Sequence, residues 1–217
     1  MSAHRPIGLR DRLRTVPAPP PVLSREREAR LTDRQREILD ELGRIFDKGF
    51  ADVTMAELAS QLNCSLRTLY GLASGRNELV MMVVDRSLRD VGRSARQAIR
   101  DDMRAIDAIR AYLAAATVAV QDTTPEFAGD MASIDEGIAL NAAHSAYIID
   151  VARTLLDVAV ERREIAPVDT AAVAQMIAGL GATFAQPAVM ATLASSPKDA
   201  ADAMVEVVLT GLERGMR

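Results

Sequence analysis

Apolar side chains recur every three or four residues along most of the chain, which is the spacing of one face of an α-helix. The first clear example is the face formed by Ile38, Leu42 and Phe46, and similar stripes follow between residues 106 and 212. No stretch alternates with the two-residue period of a strand, and helix breaks fall near Pro125, Pro167 and Pro197. The pattern predicts an all-α protein with about nine helices.

Three local signals mark helix starts in the first third of the chain. Thr32 and Gln35 form a capping box, in which each side chain bonds the backbone amide of the other residue. Thr54 and Glu57 form a second capping box, and Ser65 can cap a further helix. The last two starts are so close together that the helix between them is short.

The helices that begin after Thr54 and Ser65 are each about two turns long, so neither is stable alone in water. They must brace each other through an apolar wedge made of Leu58, Leu62, Cys64, Leu69 and Leu72. Asn63 lies in the turn between them, where a left-handed conformation is expected and asparagine tolerates it well. This arrangement predicts a helix-turn-helix motif, whose second helix enters the DNA major groove.

The side chains of the second helix that face away from the wedge are Ser65, Leu66, Arg67, Thr68 and Tyr70. Arg67 can read a guanine edge through two hydrogen bonds, and Thr68 can contact a thymine methyl group or a phosphate. Tyr70 and Thr54 are better suited to anchoring phosphates. Structural alternatives stay open, because Thr54 and Ser65 cap helices, Tyr70 can serve packing, and Arg67 can be a solvated surface charge.

Charge is distributed unevenly along the 217 residues. Residues 1–95 carry 16 basic and 13 acidic side chains, whereas residues 96–217 carry 10 and 17. Hydrophobic residues make up 49% of the chain, enough for a substantial core, and aromatic residues only 3%, which favours helices over sheets. An electropositive first part joined to an acidic remainder indicates two functions on one chain.

Residues 1–30 are predicted to form a flexible basic tail, because they hold seven arginines, a "PAPPP" stretch and few apolar residues. This tail is either a disordered leader or a basic arm that contacts DNA phosphates. We expect residues 31–78 to form the helix-turn-helix DNA-binding domain. Residues 79–217 are expected to form a larger helical domain for effector binding and dimerisation.

Cys64 is the only cysteine, so no internal disulfide can form, and a reducing cytoplasm fits. No second cysteine or nearby histidine gives metal-ligand spacing, and we expect neither a metal nor a cofactor. The first residues lack an apolar stretch of signal-peptide type. Residues 170–197 carry no charge and exceed the ~20 residues that span a bilayer, but they are mostly alanine and include Gln175 and Gln186. A largely buried helix is favoured over a membrane span.

The segment "RQREILDELGRIFDKGFADVTMAELASQLNCSLRTLYGLASGRNEL", residues 34–79, resembles the DNA-binding domain of the tetracycline-repressor (TetR) family. The resemblance rests on the Gly49–Phe50 pair, "VTMAELA", "TLY" and the "EL" that follows a basic residue. It implies a homodimeric helical protein, most often a repressor, in which a small molecule bound by the C-terminal domain releases DNA. It also places Thr54, Ser65, Thr68 and Tyr70 at DNA-contacting positions, and Arg76 where a phosphate-gripping lysine is usual.

The chain departs from the pattern of this family in three places. Asn63 and Cys64 replace the usual Gly-Val turn, which the conformational freedom of asparagine allows. Ala73 replaces a phenylalanine that normally packs below the recognition helix, and Gly71 loosens the end of that helix. These last two departures bear on the rigidity of the DNA-binding domain.

The last two predicted helices are rich in small residues, which allow close helix contact: Gly179, Gly181 and Ala185 on one, Ala203 and Gly211 on the other. Two such helices from each subunit would form a four-helix interface, which is the usual dimer in the resembling family. A twofold dimer also matches a palindromic operator with half-sites about one DNA turn apart. Ordinary packing within one chain is the alternative.

A pocket for a largely apolar small molecule is expected in the second half of the chain, where an apolar cavity would need a few polar groups. The candidate lining residues are Tyr112, Phe127, Met131, Asn141, His144 and Tyr147. A lone histidine such as His144 is more often simply satisfied by a neighbour or exposed. The scarcity of basic residues argues against a large polyanionic ligand.

Together these features favour a ligand-responsive DNA-binding regulator, a homodimeric repressor that a small molecule releases from its operator. The alternative is a helix-turn-helix protein without an effector, in an architectural or co-activator role. An enzyme is disfavoured, since no nucleophile–base pair stands out and the adjacent acidic pairs at residues 101–102 and 135–136 diverge on a helix. No catalytic residue is therefore assigned.

Overall fold

The computed structural model of the chain describes residues 8–119, 124–184 and 186–215. In these ranges the helices are α1 Leu9–Leu13, α2 Arg25–Arg30, α3 Asp33–Phe46, α4 Met55–Gln61, α5 Leu66–Leu72, α6 Arg76–Gln97, α7 Ala105–Ala119, α8 Pro125–Ala132, α9 Asp135–Glu161, α10 Thr170–Phe184, α11 Pro187–Met190 and α12 Pro197–Arg214. Nine of them have seven residues or more, and the described ranges contain no strand. The predicted all-α fold is confirmed.

The chain divides into two compact units, and the helices α6 and α9 contribute residues to both. The HTH unit consists of Pro19–Asp90 and Asp122–His144. The body unit consists of Met1–Ala18, Val91–Gln121 and Ser145–Arg217. This division differs from the predicted boundaries at 30 and 78, because the first half of α6 and all of α8 pack with the helix-turn-helix.

The core of the HTH unit is built from one face each of α3, α4 and α5 and from most faces of the first half of α6. Leu42, Phe46, Leu58 and Leu69 are fully buried there, and every residue from Leu79 to Asp85 on α6 is buried. Burial of this apolar surface stabilises two helices that are too short to persist alone. The brace that the sequence pattern predicted is therefore present.

The core of the body unit is formed by α7, α9, α10 and α12 around fully buried side chains such as Ile109, Val151, Leu155 and Leu209. The carboxyl end of α9 is closed by Arg163, a non-glycine residue with a left-handed φ of 56°. The amide of Glu164 there donates to the carbonyl of Ala159, which satisfies a carbonyl that the helix leaves unpaired.

The amino-terminal segment differs from the flexible tail that its composition predicted, although residues 1–7 lie outside the described ranges. Leu9 and Leu13, four residues apart on α1, are fully buried in the core of the body unit. The amide of Arg10 donates to Asp101, and Arg12 pairs with Glu161. Two leucines at helical spacing and these long-range partners order a segment whose average composition is that of a disordered chain.

The uncharged stretch from residue 170 to 197 contains α10 and the short α11, with breaks at Gln186 and before Pro197. No helix within the described ranges is both long enough and apolar enough to cross a membrane.

Candidate nucleic-acid interface

The turn between α4 and α5 closes as a Schellman motif, which explains why the two helices can follow each other so tightly. Asn63 has a φ of 47°, as its position in the turn predicted. The amide of Cys64 donates to the carbonyl of Ala59, and that of Asn63 donates to the carbonyl of Ser60. Ala59 is buried beside α5. A short polar residue that tolerates the left-handed region thus replaces a glycine at little cost.

Each of the two short helices also has an arginine at its carboxyl end. Nη2 of Arg34 donates to the carbonyl of Leu62 at 2.7 Å, and Nη2 of Arg27 donates to the carbonyl of Leu72 at 2.8 Å. A cation at this end of a helix satisfies an unpaired carbonyl and complements the helix dipole. These long-range caps support α4 and α5, and the sequence offered no local signal for either of them.

The outward face of α5 is exposed, as predicted. The side chains of Leu66 and Tyr70 are 43% and 54% exposed, and Ser65 and Arg67 are exposed as well. Arg67 makes no hydrogen bond or ion pair with any described residue, whereas Thr68 is half-buried. This face therefore combines a free guanidinium, a phenol and hydroxyl groups on a rigidly braced helix.

Two hydroxyl residues on this surface, Thr54 and Ser65, already serve as helix caps. The Thr54 hydroxyl accepts from the amide of Glu57, and the Thr54 amide donates to the Glu57 carboxylate at 2.8 Å, which completes the predicted capping box. The Thr54 hydroxyl donates to the same carboxylate oxygen. The Thr54 amide and hydroxyl hold the pKa of Glu57 below its usual range. The Ser65 hydroxyl accepts from the amide of Thr68 and bonds its hydroxyl at 2.8 Å. Capping orients these oxygens without burying them, so it is compatible with a phosphate contact.

Arg76, which the resemblance assigned to a phosphate, is engaged elsewhere in this structure. Its Nη1 donates to the carbonyl of Phe50 at 2.9 Å and also to the carbonyl of Ala51. Its Nη2 contacts Oδ1 of Asn77 at 3.3 Å. The guanidinium is half-buried against the turn that precedes α4.

The two remaining departures from the family pattern are both accommodated. Ala73 is buried in the core of the HTH unit, so the position keeps its inward role with a smaller side chain. Gly71 is exposed near the end of α5, and a Cβ built on it would meet nothing within 4 Å. Glycine is therefore not required there by packing.

Of the six predicted pocket residues, Tyr112 and Tyr147 belong to the body unit and are buried in its core. Nη1 of Arg96 donates to the Tyr147 hydroxyl at 2.7 Å and Nη2 donates to the carbonyl of Leu13 at 3.0 Å. Burial, reinforced by Tyr147 and opposed by Arg96, raises the pKa of Tyr112 well above its usual range. The Tyr147 hydroxyl is therefore satisfied by a protein neighbour, and Tyr112 is buried in the same core.

The other four predicted pocket residues belong to the HTH unit. Met131 is fully buried, Phe127 packs edge-on against Phe50 with ring centroids 5.9 Å apart, and Asn141 is exposed. His144 is buried, and its Nε2 lies 2.9 Å from Oδ1 of Asp85. The structure thus satisfies His144 with a carboxylate, which was the alternative to a ligand contact for this lone histidine.

Asp85 gathers three donors in the core of the HTH unit. Its Oδ2 accepts from the Val22 amide at 3.0 Å and from Nε of Arg89 at 2.9 Å, while Oδ1 faces His144. Burial raises the pKa of Asp85, but the hydrogen bonds from His144 and Val22 and the pairing with Arg89 lower it more. The net pKa lies below the ordinary value of an aspartate. The network fixes residues 19–22 to α6, since Arg89 also donates to the carbonyl of Pro19.

A groove of about 520 Å³ opens on the body unit beside α1, the end of α9 and the start of α10. Its walls include Arg12, Thr154, Asp157, Glu161 and Thr170, and none of the six predicted pocket residues. The groove is open to solvent, and six of its ten lining residues are polar or charged. It does not correspond to the predicted apolar pocket, which stays a prediction.

The last two long helices, α10 and α12, pack against each other through one face and leave another uncovered. Val207, Met176 and Met204 on the uncovered side are 63%, 46% and 41% exposed. A Cβ built on Gly179, Gly181 or Gly211 would meet nothing within 4 Å. Ala203 is exposed as well, and Ala185 lies outside the described residues. The described small residues are therefore not used for close packing within the chain.

Comparison with solved structures finds the same fold in several regulators. A TetR transcription regulator from Haloarcula marismortui ATCC 43049 superposes with a TM-score of 0.71 at 14% identity, over 84% of this chain and 99% of that one. A TetR-family regulator from Rhodococcus RHA1 gives 0.62 at 18% identity, over 84% and 98%. The TetR-family regulator PfmR from Thermus thermophilus gives 0.58 at 19% identity, over 82% and 99%.

No protein-family model matches the chain. No curated protein matches it in sequence either. The likeness therefore rests on the fold, which covers nearly the whole of each of these solved chains. The protein has the fold of the TetR-family transcription regulators, a helix-turn-helix unit followed by a larger helical part.

Proposed function

We propose that the protein is a DNA-binding transcription regulator that acts as a homodimer. The single observation that carries this proposal is the exposed face of α5, where Arg67 has no partner among the described residues while the helix itself is fixed by a Schellman turn and an arginine cap. A helix that is held in place and carries an exposed, unpaired cation is suited to a polyanion. The shared fold with known regulators supports the same function.

In this proposal α5 enters the major groove, with Arg67 on a base edge and Leu66 and Thr68 beside it. Thr54, Ser65 and Tyr70 contact phosphates at the two sides of the groove and set the register of the helix. The exposed phenol of Tyr70 and the capped hydroxyl groups of Thr54 and Ser65 are placed by α4 and α5 without needing to move.

The dimer is proposed to form through the uncovered face of α10 and α12. Exposed methionine and valine side chains next to glycines that meet nothing within the chain are typical of helices that pack closely against a partner. A second copy related by a twofold axis would present a second α5 to the adjacent major groove of a palindromic site.

DNA binding is tested by fluorescence anisotropy with labelled DNA from upstream of the protein's own gene, at low and moderate salt. We expect specific binding, with an affinity that falls steeply as salt rises. Light scattering on the eluting protein gives the mass, which should be twice that of the chain. A monomer at working concentration, or equal affinity for the upstream DNA and for unrelated DNA, would contradict the proposal.

A small molecule is proposed to release the DNA by favouring a different arrangement of the dimer, with a coupling of about 1–3 kcal/mol. A thermal-shift screen of metabolites, repeated with the operator DNA present, identifies compounds that stabilise the free protein and weaken the DNA complex. Because linkage is reciprocal, a true effector must show both effects.

A regulator without an effector is the second candidate. The observation in its favour is that Tyr112, Met131 and His144, three of the predicted pocket residues, are buried, and that His144 lies against Asp85. Failure of every compound to shift the melting temperature while DNA binding persists would favour this candidate.

A further inference from the structure

The turn between α3 and α4, residues 47–51, is held by side chains on both sides of its backbone. Oδ2 of Asp130, on α8, accepts from the amide of Phe50 at 2.5 Å and from the amide of Ala51 at 2.8 Å. Arg76, at the start of α6, donates to the carbonyls of the same two residues. One carboxylate oxygen and one guanidinium nitrogen therefore bind both backbone amides and both backbone carbonyls of Phe50 and Ala51.

A backbone hydrogen bond and close packing also join α8 to this turn. The amide of Thr124 donates to the carbonyl of Asp47 at 3.3 Å, and Phe127 packs edge-on against Phe50. Gly49 has a φ of +103°, and a Cβ there would lie 3.2 Å from Oδ2 of Asp130 and from Cβ of Glu126. Glycine is required at this position both for its backbone conformation and for the close approach of α8.

We infer that Asp130 and Arg76 act together as positioning residues for DNA binding, and that Arg76 does so in place of a direct phosphate contact. The inference rests on the proposed function, because it assigns these two residues a role in that DNA-binding site. Their clamp on Phe50 and Ala51 fixes the chain three residues before Thr54, the N-cap of α4. Since α4 braces α5, the clamp sets where the reading helix lies.

Because Asp130 is charged, a net-charge effect and a positioning role predict opposite changes in DNA affinity when it is removed. Asp130 is negative, so its removal should strengthen binding to DNA if the net charge of the surface were all that mattered. A positioning role predicts the opposite, because the two amides lose a charged acceptor and the turn is released. Asp130→Ala should therefore bind the operator about tenfold more weakly, a loss of the size expected for charged hydrogen bonds.

Two further variants serve as controls for this measurement. Asp130→Asn keeps an acceptor oxygen at the same place and should recover part of the affinity. Glu126→Gln removes the same charge from α8, where Glu126 makes no hydrogen bond or ion pair with a described residue, and should leave affinity unchanged or slightly higher. If Asp130→Ala binds DNA as tightly as the wild type, or more tightly, the positioning role is wrong.

Arg76→Lys separates the two roles of Arg76. A lysine retains the charge and can grip a phosphate, but its shorter and more flexible side chain does not hold two N–H donors in a fixed plane toward both carbonyls, as Nη1 of the planar guanidinium does. A positioning role predicts that Arg76→Lys loses about as much affinity as Arg76→Ala. A phosphate contact predicts that the lysine variant binds normally, while the alanine variant loses affinity and about one unit of salt slope per contact. The second result would overturn the inference.

Hydrogen exchange gives a readout that does not depend on DNA. In the wild type the amides of Phe50 and Ala51 should be protected by Asp130, and Asp130→Ala should raise their exchange at least about tenfold, with the α3 amides unchanged. Exchange that is the same in both proteins would show that the clamp does not exist in solution. A protected turn in a protein that binds no DNA would instead reject the positioning role together with the proposed function.

Discussion

Two exposed surfaces of this protein differ in chemistry, although each lies on helices whose other faces are packed in a hydrophobic core. The outward face of α5 carries Arg67, Tyr70 and hydroxyl groups, whereas the uncovered face of α10 and α12 carries methionine, valine and glycine. An exposed cation with no partner among the described residues is suited to phosphates and base edges, while apolar side chains beside glycines are suited to another helix. Side-chain chemistry, and not exposure, therefore separates the two proposed partners.

The largest expected effect falls on the apolar surface. Val207→Asp places a charge at the centre of the proposed dimer interface, where it would be buried without a partner. Because Val207 is 63% exposed within one chain, the fold itself should tolerate the change. We expect the mass measured by light scattering to halve and operator affinity to fall more than about a hundredfold, since each monomer would bind one half-site.

Val168→Asp is the matched control for this variant, because Val168 is also exposed but lies in the loop before α10. It should remain dimeric with normal affinity. A dimeric Val207→Asp protein would show that the α10–α12 face does not hold the subunits together.

The buried residue Asp85 contrasts with both exposed surfaces, because its substitution is expected to change the free energy of unfolding. Asp85→Asn removes the charge that faces His144 and Arg89 in the core of the HTH unit, and should lower the free energy of unfolding by about 3 kcal/mol at neutral pH. The pKa of Asp85 is below its ordinary value, so its stabilising contribution is present above the ordinary pKa and is lost as pH falls through the lowered one. The difference between variant and wild type should shrink below about pH 4.

Urea denaturation at neutral and acidic pH measures this difference. An Asp85→Asn protein with the same deficit at every pH would show that the lost stability does not come from the ionised carboxylate. Surface variants such as Val207→Asp should show no such deficit in the unfolding of the separated chain.

The polar surface predicts a smaller and more selective effect. Arg67→Ala should lose discrimination of about 1–3 kcal/mol at one base position in each half-site, because no other side chain is assigned to that edge. Competition between operators that differ at single positions measures this loss. Arg153→Ala, an exposed arginine on the body unit, is the control and should keep full selectivity. Unchanged selectivity in Arg67→Ala would show that this side chain does not read a base.

These features could be predicted from the sequence to different degrees, because some depend on a few neighbouring residues and others on residues far away in the chain. The starts of α3, α4 and α5 agree with the sequence to the residue, since capping boxes and a serine cap act over three residues. Asn63 is equally local, because its φ depends on the turn alone. By contrast, Asp130 binds the turn from 80 residues away, and no pattern near either residue indicates it.

The amino-terminal segment and the pocket show the same limit. Composition averaged over 30 residues concealed Leu9 and Leu13, whose burial depends on helices that follow much later in the chain. A cavity likewise depends on how distant helices pack. Aromatic or polar residues such as Tyr112 and His144 can pack in a filled core as readily as they line a cavity. The assignment of ligand-contacting residues stays a prediction for this reason.

The smallest effect tests where the polar surface ends. Gly71 lies near the carboxyl end of α5, has no positive φ, and leaves space for a Cβ with nothing within 4 Å. Gly71→Ala should therefore stabilise the protein by about 0.5–1 kcal/mol, because alanine loses less backbone entropy in a helix. A rise of a few degrees in the calorimetric melting temperature is expected. Operator affinity should stay within about twofold if the DNA contacts end at Tyr70. A variant that melts higher but binds DNA much more weakly would place the duplex directly against Gly71, and would extend the reading surface of α5 by one turn beyond Arg67.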